Sequence, residues 1–204
     1  MKTLLRIDAS TRNQQSTSKR LGDTFEQLWR QNHPQGRVVA RDLASKPVPH
    51  LSSTQVNAFM QADATTSADT ALSDRLITEL KAADELLICS PMYNFTLPSS
   101  LKAYIDHIVR SGHTFGFQEY TPLGLLSDKT ATIITSRGGL SASSGGNDPQ
   151  ALYLQDILGF IGITTQQVIS LEGTALPDDT RQPHFDQAMS EVRHRFNTAE
   201  PSIA

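Results

Sequence analysis

The chain has one cysteine, Cys89, so no intrachain disulfide can form. It sits in the apolar run Leu86-Leu87-Ile88-Cys89. That run offers none of the electropositive surroundings that make a thiol reactive, so Cys89 reads as a small buried hydrophobe in a reducing compartment. No stretch approaches the roughly 20 apolar residues needed to cross a bilayer. Arg6 and Asp8 interrupt the first apolar residues too early for a signal peptide, and the expectation is a cytoplasmic protein with no membrane partner. There is no basic block, which argues against nucleic acid as a partner. The net charge of −3 is too small to steer the chain toward a basic protein. Repeats, low-complexity linkers and metal-ligand spacings are all missing. His107 and His113 lie six apart and off a common helical face, and His184 and His194 have no ligating neighbours. Glu172, Asp178 and Asp179 read as solvated charge.

What is present is an ordinary globular composition, with 38% hydrophobic and 19% charged residues over 204 positions. Short β-like runs alternate with amphipathic stretches, the pattern of an α/β fold with a parallel sheet. Five runs read as strands: Leu4–Ile7, Arg37–Leu43, Glu85–Ser90, Thr130–Thr135 and Thr164–Leu171. The third is continuously apolar, as expected of a strand covered on both faces. Helices are expected over 18–32, where Leu21, Phe25, Leu28 and Trp29 recur at helical spacing, and over 69–82 and 150–161. Another should open at Pro98 and close at Gly112, and a last one should carry Phe185, Met189, Val192 and Phe196. Residues 44–68 read as irregular with a short helix near Val56–Met60, 113–127 as a surface excursion, and 136–148 as a loop rich in Gly and Ser. Right-handed crossovers then favour one flavodoxin-like domain over 1–204, a three-layer sandwich with strand order 2-1-3-4-5. A Rossmann sheet would want a sixth strand and a glycine fingerprint after the first.

In such sheets ligands bind outside the carboxyl ends of the strands, so the loops after strands 1, 3 and 4 should carry the site. The first runs from Ser10 to Ser18 into a helix. Ser10, Ser16, Thr17 and Ser18 supply hydroxyls beside free helix N–H groups, a cradle for a phosphomonoester; plain helix capping by Ser16 or Thr17 would use the same residues. No lysine-bearing P-loop is present, which disfavours a nucleoside triphosphate. The second is Met92-Tyr93-Asn94-Phe95. These residues suit the edge and face of a flat heteroaromatic ring, although Tyr93 and Phe95 could equally cap the core. The third is Ser136-Arg137-Gly138-Gly139. Its glycines allow close backbone approach to a ligand, and Arg137 would favour negative charge on a reduced ring; the alternative is a flexible turn with a solvated arginine.

Pro91-Met92-Tyr93-Asn94-Phe95, Thr135-Ser136-Arg137-Gly138-Gly139 and Leu158-Gly159-Phe160-Ile161-Gly162-Ile163 together resemble the FMN-dependent NADH:quinone oxidoreductases, also called azoreductases. The likeness runs from Ser10 past Gly162. It implies a flavodoxin-like homodimer with one noncovalent FMN per subunit. By position, Ser10 and Ser16-Thr17-Ser18 match the phosphate loop, Met92 to Phe95 the segment along the flavin ring, and Ser136 to Gly139 the segment at its pyrimidine end. Phe160 lies in a motif that helps wall the substrate pocket. Phe115 and Phe117, with Tyr120, fall where the family has an aromatic segment near its dimer interface, in a different local sequence. The loop from Leu140 to Asp148 is individual.

The implied reaction is ping-pong: NADH, or NADPH, reduces the flavin at N5, and a quinone or azo compound then takes its place and accepts two electrons, azo cleavage to amines needing two cycles. No side chain is assigned as a catalytic acid or base, because the flavin carries the chemistry. An electron-carrier flavodoxin serving protein partners is the alternative; carriers of that kind usually have a more acidic surface and a different first loop. A signalling receiver would need an acidic pair at the end of strand 1, where Asp8 stands alone.

Overall fold

The computed structural model describes residues 1–12, 15–60, 67–141 and 148–197. Its five-stranded sheet is parallel throughout. The strands are β1 (Thr3–Asp8), β2 (Arg37–Asp42), β3 (Glu85–Pro91), β6 (Thr130–Ser136) and β7 (Thr165–Leu171), in the order β2-β1-β3-β6-β7. This is the expected 2-1-3-4-5 order, with a small antiparallel hairpin of β4 (Phe115–Gln118) and β5 (Thr121–Gly124) inserted before the fourth sheet strand.

Successive side chains of a strand point to opposite faces, and here each face meets helices. Leu5 and Ile7 of β1, Leu86 and Ile88 of β3, and Ala131 and Ile133 of β6 form one core. Residues from α3 (Ala71–Ala82), α4 (Ser99–Ile108) and α5 (Pro149–Phe160) pack on it. Leu4, Leu87, Cys89 and Ile134 point the other way, onto Leu21, Phe25 and Trp29 of α1 (Thr17–Asn32) and Ala188 and Val192 of α6 (Asp178–Asn197). Each large apolar side chain buried this way stabilises the fold by about 1.5–3 kcal/mol. Cys89 is wholly buried in this second core, and that burial pushes its thiol well above the ordinary range. Gly22 lets α1 lie this close, since a Cβ there would stand 2.5 Å from Cys89 Sγ.

The short helix expected near Val56–Met60 is α2 (Ser53–Met60). Residues 61–66 and 142–147, within the two loops expected on either side of the sheet, lie outside the described residues. Two expectations need correction. The helix opening at Pro98 stops at Ile108, four residues before Gly112, because Thr114 Oγ1 donates to the Ile108 carbonyl at 2.7 Å and ends the ladder. Gly112, at φ +75°, instead makes the turn into the hairpin, its N–H bonding the Phe115 carbonyl at 2.8 Å. The surface excursion at 113–127 contains the two short strands of that hairpin, which the five expected strands did not include. No helix among the described residues is long and apolar enough to cross a membrane.

Candidate functional site

The carboxyl ends of β1, β3 and β6 open on a cleft of about 170 Å³. From the first loop it receives Ser10, Arg12, Gln15, Ser16 and Thr17; from the second Pro91, Met92 and Tyr93; from the third Ser136, Arg137 and Gly138. The three loops singled out from sequence thus meet in one place. Ser16 caps α1, its Oγ accepting the Lys19 N–H at 3.3 Å. Ser18 stands behind it, fully buried, its Oγ 3.2 Å from Ser16 Oγ, and supports the cradle without lining it. The first turn of α1 has no acidic residue, so its positive end is left for an anion.

Beneath this loop Arg6 is buried and bound on several sides. It pairs with Asp8 at 3.1 Å, Asp23 at 2.7 Å and Glu26 at 3.1 Å, and donates to the Lys19 carbonyl at 3.3 Å. The start of α1 is thereby fixed on β1. Burial raises the Asp8 carboxyl above its usual range, although Arg6 and Lys19 oppose the shift. Asp8 is held by an internal cation, which is not how a receiver's acidic pair would present itself.

The second loop is a tight turn. Tyr93 and Thr96 exchange backbone hydrogen bonds, Tyr93 N–H to Thr96 O at 2.8 Å and Thr96 N–H to Tyr93 O at 3.1 Å. Asn94 at φ +50° and Phe95 at φ +66° occupy its two central positions. Asn tolerates the left-handed region, but for a phenylalanine it is strained. The strained ring is not capping the core, since Phe95 is 77% exposed. Tyr93 turns inward and its hydroxyl meets Thr11, 2.9 Å from Oγ1. Burial pushes the Tyr93 phenol up, but hydrogen bonds from Thr11 and Ser10 outweigh it and leave the group below its usual value.

Tyr93 is also a wall of a second, larger cleft of about 570 Å³, shared with Asn94, Leu97, Lys102 and Tyr153. His50 lines it too. That histidine had drawn no attention in a polar segment without periodicity. The smaller cleft likewise gains Thr174 and Ala175 from the loop after β7. They are brought in by backbone bonds, Thr174 N–H to Arg137 O at 3.0 Å and Ala175 N–H to Gly138 O at 3.1 Å. Nothing in their sequence marks them, and only the strand order would have pointed to that loop.

Arg137 is buried, not solvated, and its guanidinium lies 3.3 Å from Asp148. Asp148 in turn caps α5 and accepts from Thr135 Oγ1 at 3.0 Å. The positive charge expected to act on a ring is therefore balanced in part by a carboxylate, and Arg137 ties the third loop to α5. A Cβ on Gly138 would press Ala175 at 3.3 Å, whereas one on Gly139 would meet nothing within 4 Å. Open space thus lies in front of the Gly139 backbone. Glu172 is also tied down, accepting the Ser141 N–H at 2.9 Å.

Phe115, Phe117, Tyr120 and Phe160 do not line either cleft. Phe115 bridges the hairpin to α5, 4.7 Å from the Phe160 ring and 5.8 Å from that of Phe117. Phe117, Tyr120 and Phe160 are exposed, with Leu123, Leu125 and Leu152 exposed on the same hairpin and helix. No cluster of His, Cys, Asp and Glu able to hold a metal occurs among the described residues.

Comparison with known proteins bears out the fold. The family described as flavodoxin-like fold matches residues 1–196. A protein of Pseudomonas fluorescens (strain Pf0-1) called FMN-dependent NADH:quinone oxidoreductase 2 is 41% identical over 196 residues, covering 94% of this chain and 98% of that one. An FMN-dependent NADH:quinone oxidoreductase of Xanthobacter autotrophicus is 49% identical over 176 residues, covering 82% and 85%. Among solved structures, an azoreductase from Bacillus anthracis str. Sterne superimposes with a TM-score of 0.88 at 25% identity, covering 97% of this chain and 99% of that one. The chain belongs to the flavodoxin-like fold family and, within it, to the FMN-dependent NADH:quinone oxidoreductases.

Proposed function

We propose that the chain is an FMN enzyme that passes two electrons from NADH to quinones and to aromatic azo compounds. The observation that carries this reading is the meeting of three loops in one cleft at the switch point between β1 and β3. The donor set fits the cofactor. Ser10, Ser16, Thr17 and the acid-free start of α1 would hold a phosphate by neutral donors and a helix end. Pro91, Met92 and Tyr93 would border the ring, and the unobstructed backbone at Gly139 would let its edge approach.

When bound, FMN supplies the two-electron chemistry. The chain's own part is to bind, orient and exclude water. Tyr93 lines both clefts, the one that gathers the cofactor residues and the one that would leave space for a second flat molecule. A single space of this kind suits ping-pong turnover, with NADH leaving before the acceptor enters.

The exposed apolar side chains of the hairpin and α5 favour a homodimer. Phe115, Phe117, Tyr120 and Phe160 would then serve the substrate pocket across that interface. The two cores lie on opposite faces of one sheet, which favours a single domain. A cytoplasmic setting suits an enzyme that consumes NADH and carries an unpaired thiol.

The test is steady-state kinetics with NADH and a neutral naphthoquinone, each varied at several levels of the other. Parallel double-reciprocal lines are expected. Intersecting lines would show both substrates bound at once and refute the shared space.

A further inference from the structure

Building on the function proposed above, we propose that the larger cleft selects ligands in which a flat aromatic ring carries an anionic group, with Lys102 as the residue that receives the anion. The cleft of about 570 Å³ falls within the range of small-molecule sites. Tyr93, Leu97 and Tyr153 give it aromatic and aliphatic walls. Its polar side is His50, Asn94, Thr96, Ser99 and Lys102. Among the described lining residues Lys102 has the one full charge, and no carboxylate lines the cleft.

The arrangement of charges on α4 points the same way. Lys102 pairs with Asp106, one turn further along the helix. Asp106 is not a wall of the cleft, so Lys102 lines it while its counter-ion does not. Lys102 is about half exposed, at 47% of its side-chain surface, and an anion in the cleft would compete with Asp106 for its ammonium. The first turn of α4 has no acidic residue, so nothing there opposes an anion. A wholly neutral quinone would use the walls and leave the ammonium idle.

Two ligands of the proposed reaction could bring an oxyanion to this place: an acceptor with a sulfonate or carboxylate, or NADH through its diphosphate. Both would use the same lysine. The experiment separates them.

Calorimetry on the full chain as purified would compare 1,4-naphthoquinone-2-sulfonate, 1,4-naphthoquinone and NAD⁺, which carries the dinucleotide's diphosphate but no hydride, for the wild type, Lys102→Gln and Asp106→Asn. Lys102→Gln is expected to weaken the sulfonate about tenfold while changing the neutral quinone less than about twofold, as for one partly screened charge. Asp106→Asn removes the competing carboxylate and is expected to tighten the sulfonate about two- to threefold. The sulfonate's advantage should shrink as sodium chloride is raised. A loss confined to NAD⁺ would assign the anion to the dinucleotide diphosphate. Equal affinities across all three proteins, for both anionic ligands, would overturn the proposal. Because binding is read without turnover, a lysine-dependent preference in a protein that fails to reduce quinones would uphold the cleft and refute the activity it was built on.

Discussion

The Tyr93 hydroxyl lies 2.9 Å from Thr11 Oγ1 and 3.3 Å from the Thr11 backbone nitrogen, which donates to it. Two loops that are 82 positions apart are thereby latched across the mouth of the smaller cleft. Tyr93→Phe keeps the ring and removes the latch. FMN should dissociate about five- to tenfold faster from the variant, the effect of losing a hydrogen bond worth about 1 kcal/mol. The release of flavin fluorescence after dilution measures this. Unfolding stability should change little, because the bond is exposed.

Phe95 stores strain at φ +66°, and its ring is mostly in solvent. Phe95→Gly would turn Asn94-Phe95 into Asn-Gly, the pair most suited to two positive φ values. The variant should be more stable by about 1 kcal/mol in urea unfolding. It should also bind aromatic acceptors less tightly, since the exposed ring beside Tyr93 is gone. An unchanged midpoint would mean that the turn carries no strain.

Gly22 and Cys89 should be coupled. Gly22→Ala places a methyl group 2.5 Å from Cys89 Sγ and should cost about 1–3 kcal/mol through overpacking. Combining it with Cys89→Ala should cost less than the sum of the two single changes. Additive losses in a double-mutant cycle would show that α1 can shift to make room.

Stability should fall as pH drops below neutral. Burial holds His107 below its ordinary value, against the opposing effect of its bond to the Pro49 carbonyl at 3.0 Å. His113 is lowered too, by burial and by Arg110. A histidine whose value is depressed on folding binds its proton more readily unfolded. Its contribution is therefore complete above about pH 6.5 and is lost as pH falls toward the folded value. His107→Gln should flatten the profile between roughly pH 7 and 5. A profile of unchanged slope would exclude His107 as its source.

The sheet was readable because burial on two faces writes itself into composition. Leu86 to Cys89 is continuously apolar, and the structure buries Leu86 to Ser90. The three cofactor loops could be located because they follow such strands directly. The hairpin could not. Its strands have four residues each, too few to show alternation, and its turn uses Glu119 at φ +56° where a glycine or asparagine would have been the signal. Thr174 and Ala175 were hidden for another reason. They reach the cleft through backbone bonds to Arg137 and Gly138, and backbone bonding between loops leaves no mark on residue type. The burial of Arg137 could not be read, because its partner, Asp148, is eleven positions away across a loop with no periodicity.

The cleft joining Ser10, Ser16, Met92, Tyr93 and Gly138 is proposed to hold FMN for electron transfer from NADH to a quinone, and the visible spectrum of the protein, purified or reconstituted with FMN and kept without air, tests this. A flavin band near 450 nm, about one equivalent per chain, is expected to bleach with NADH and return when a quinone is added. A protein that stays colourless after incubation with FMN, or a band that NADH bleaches only with a separate reductase protein present, would contradict it.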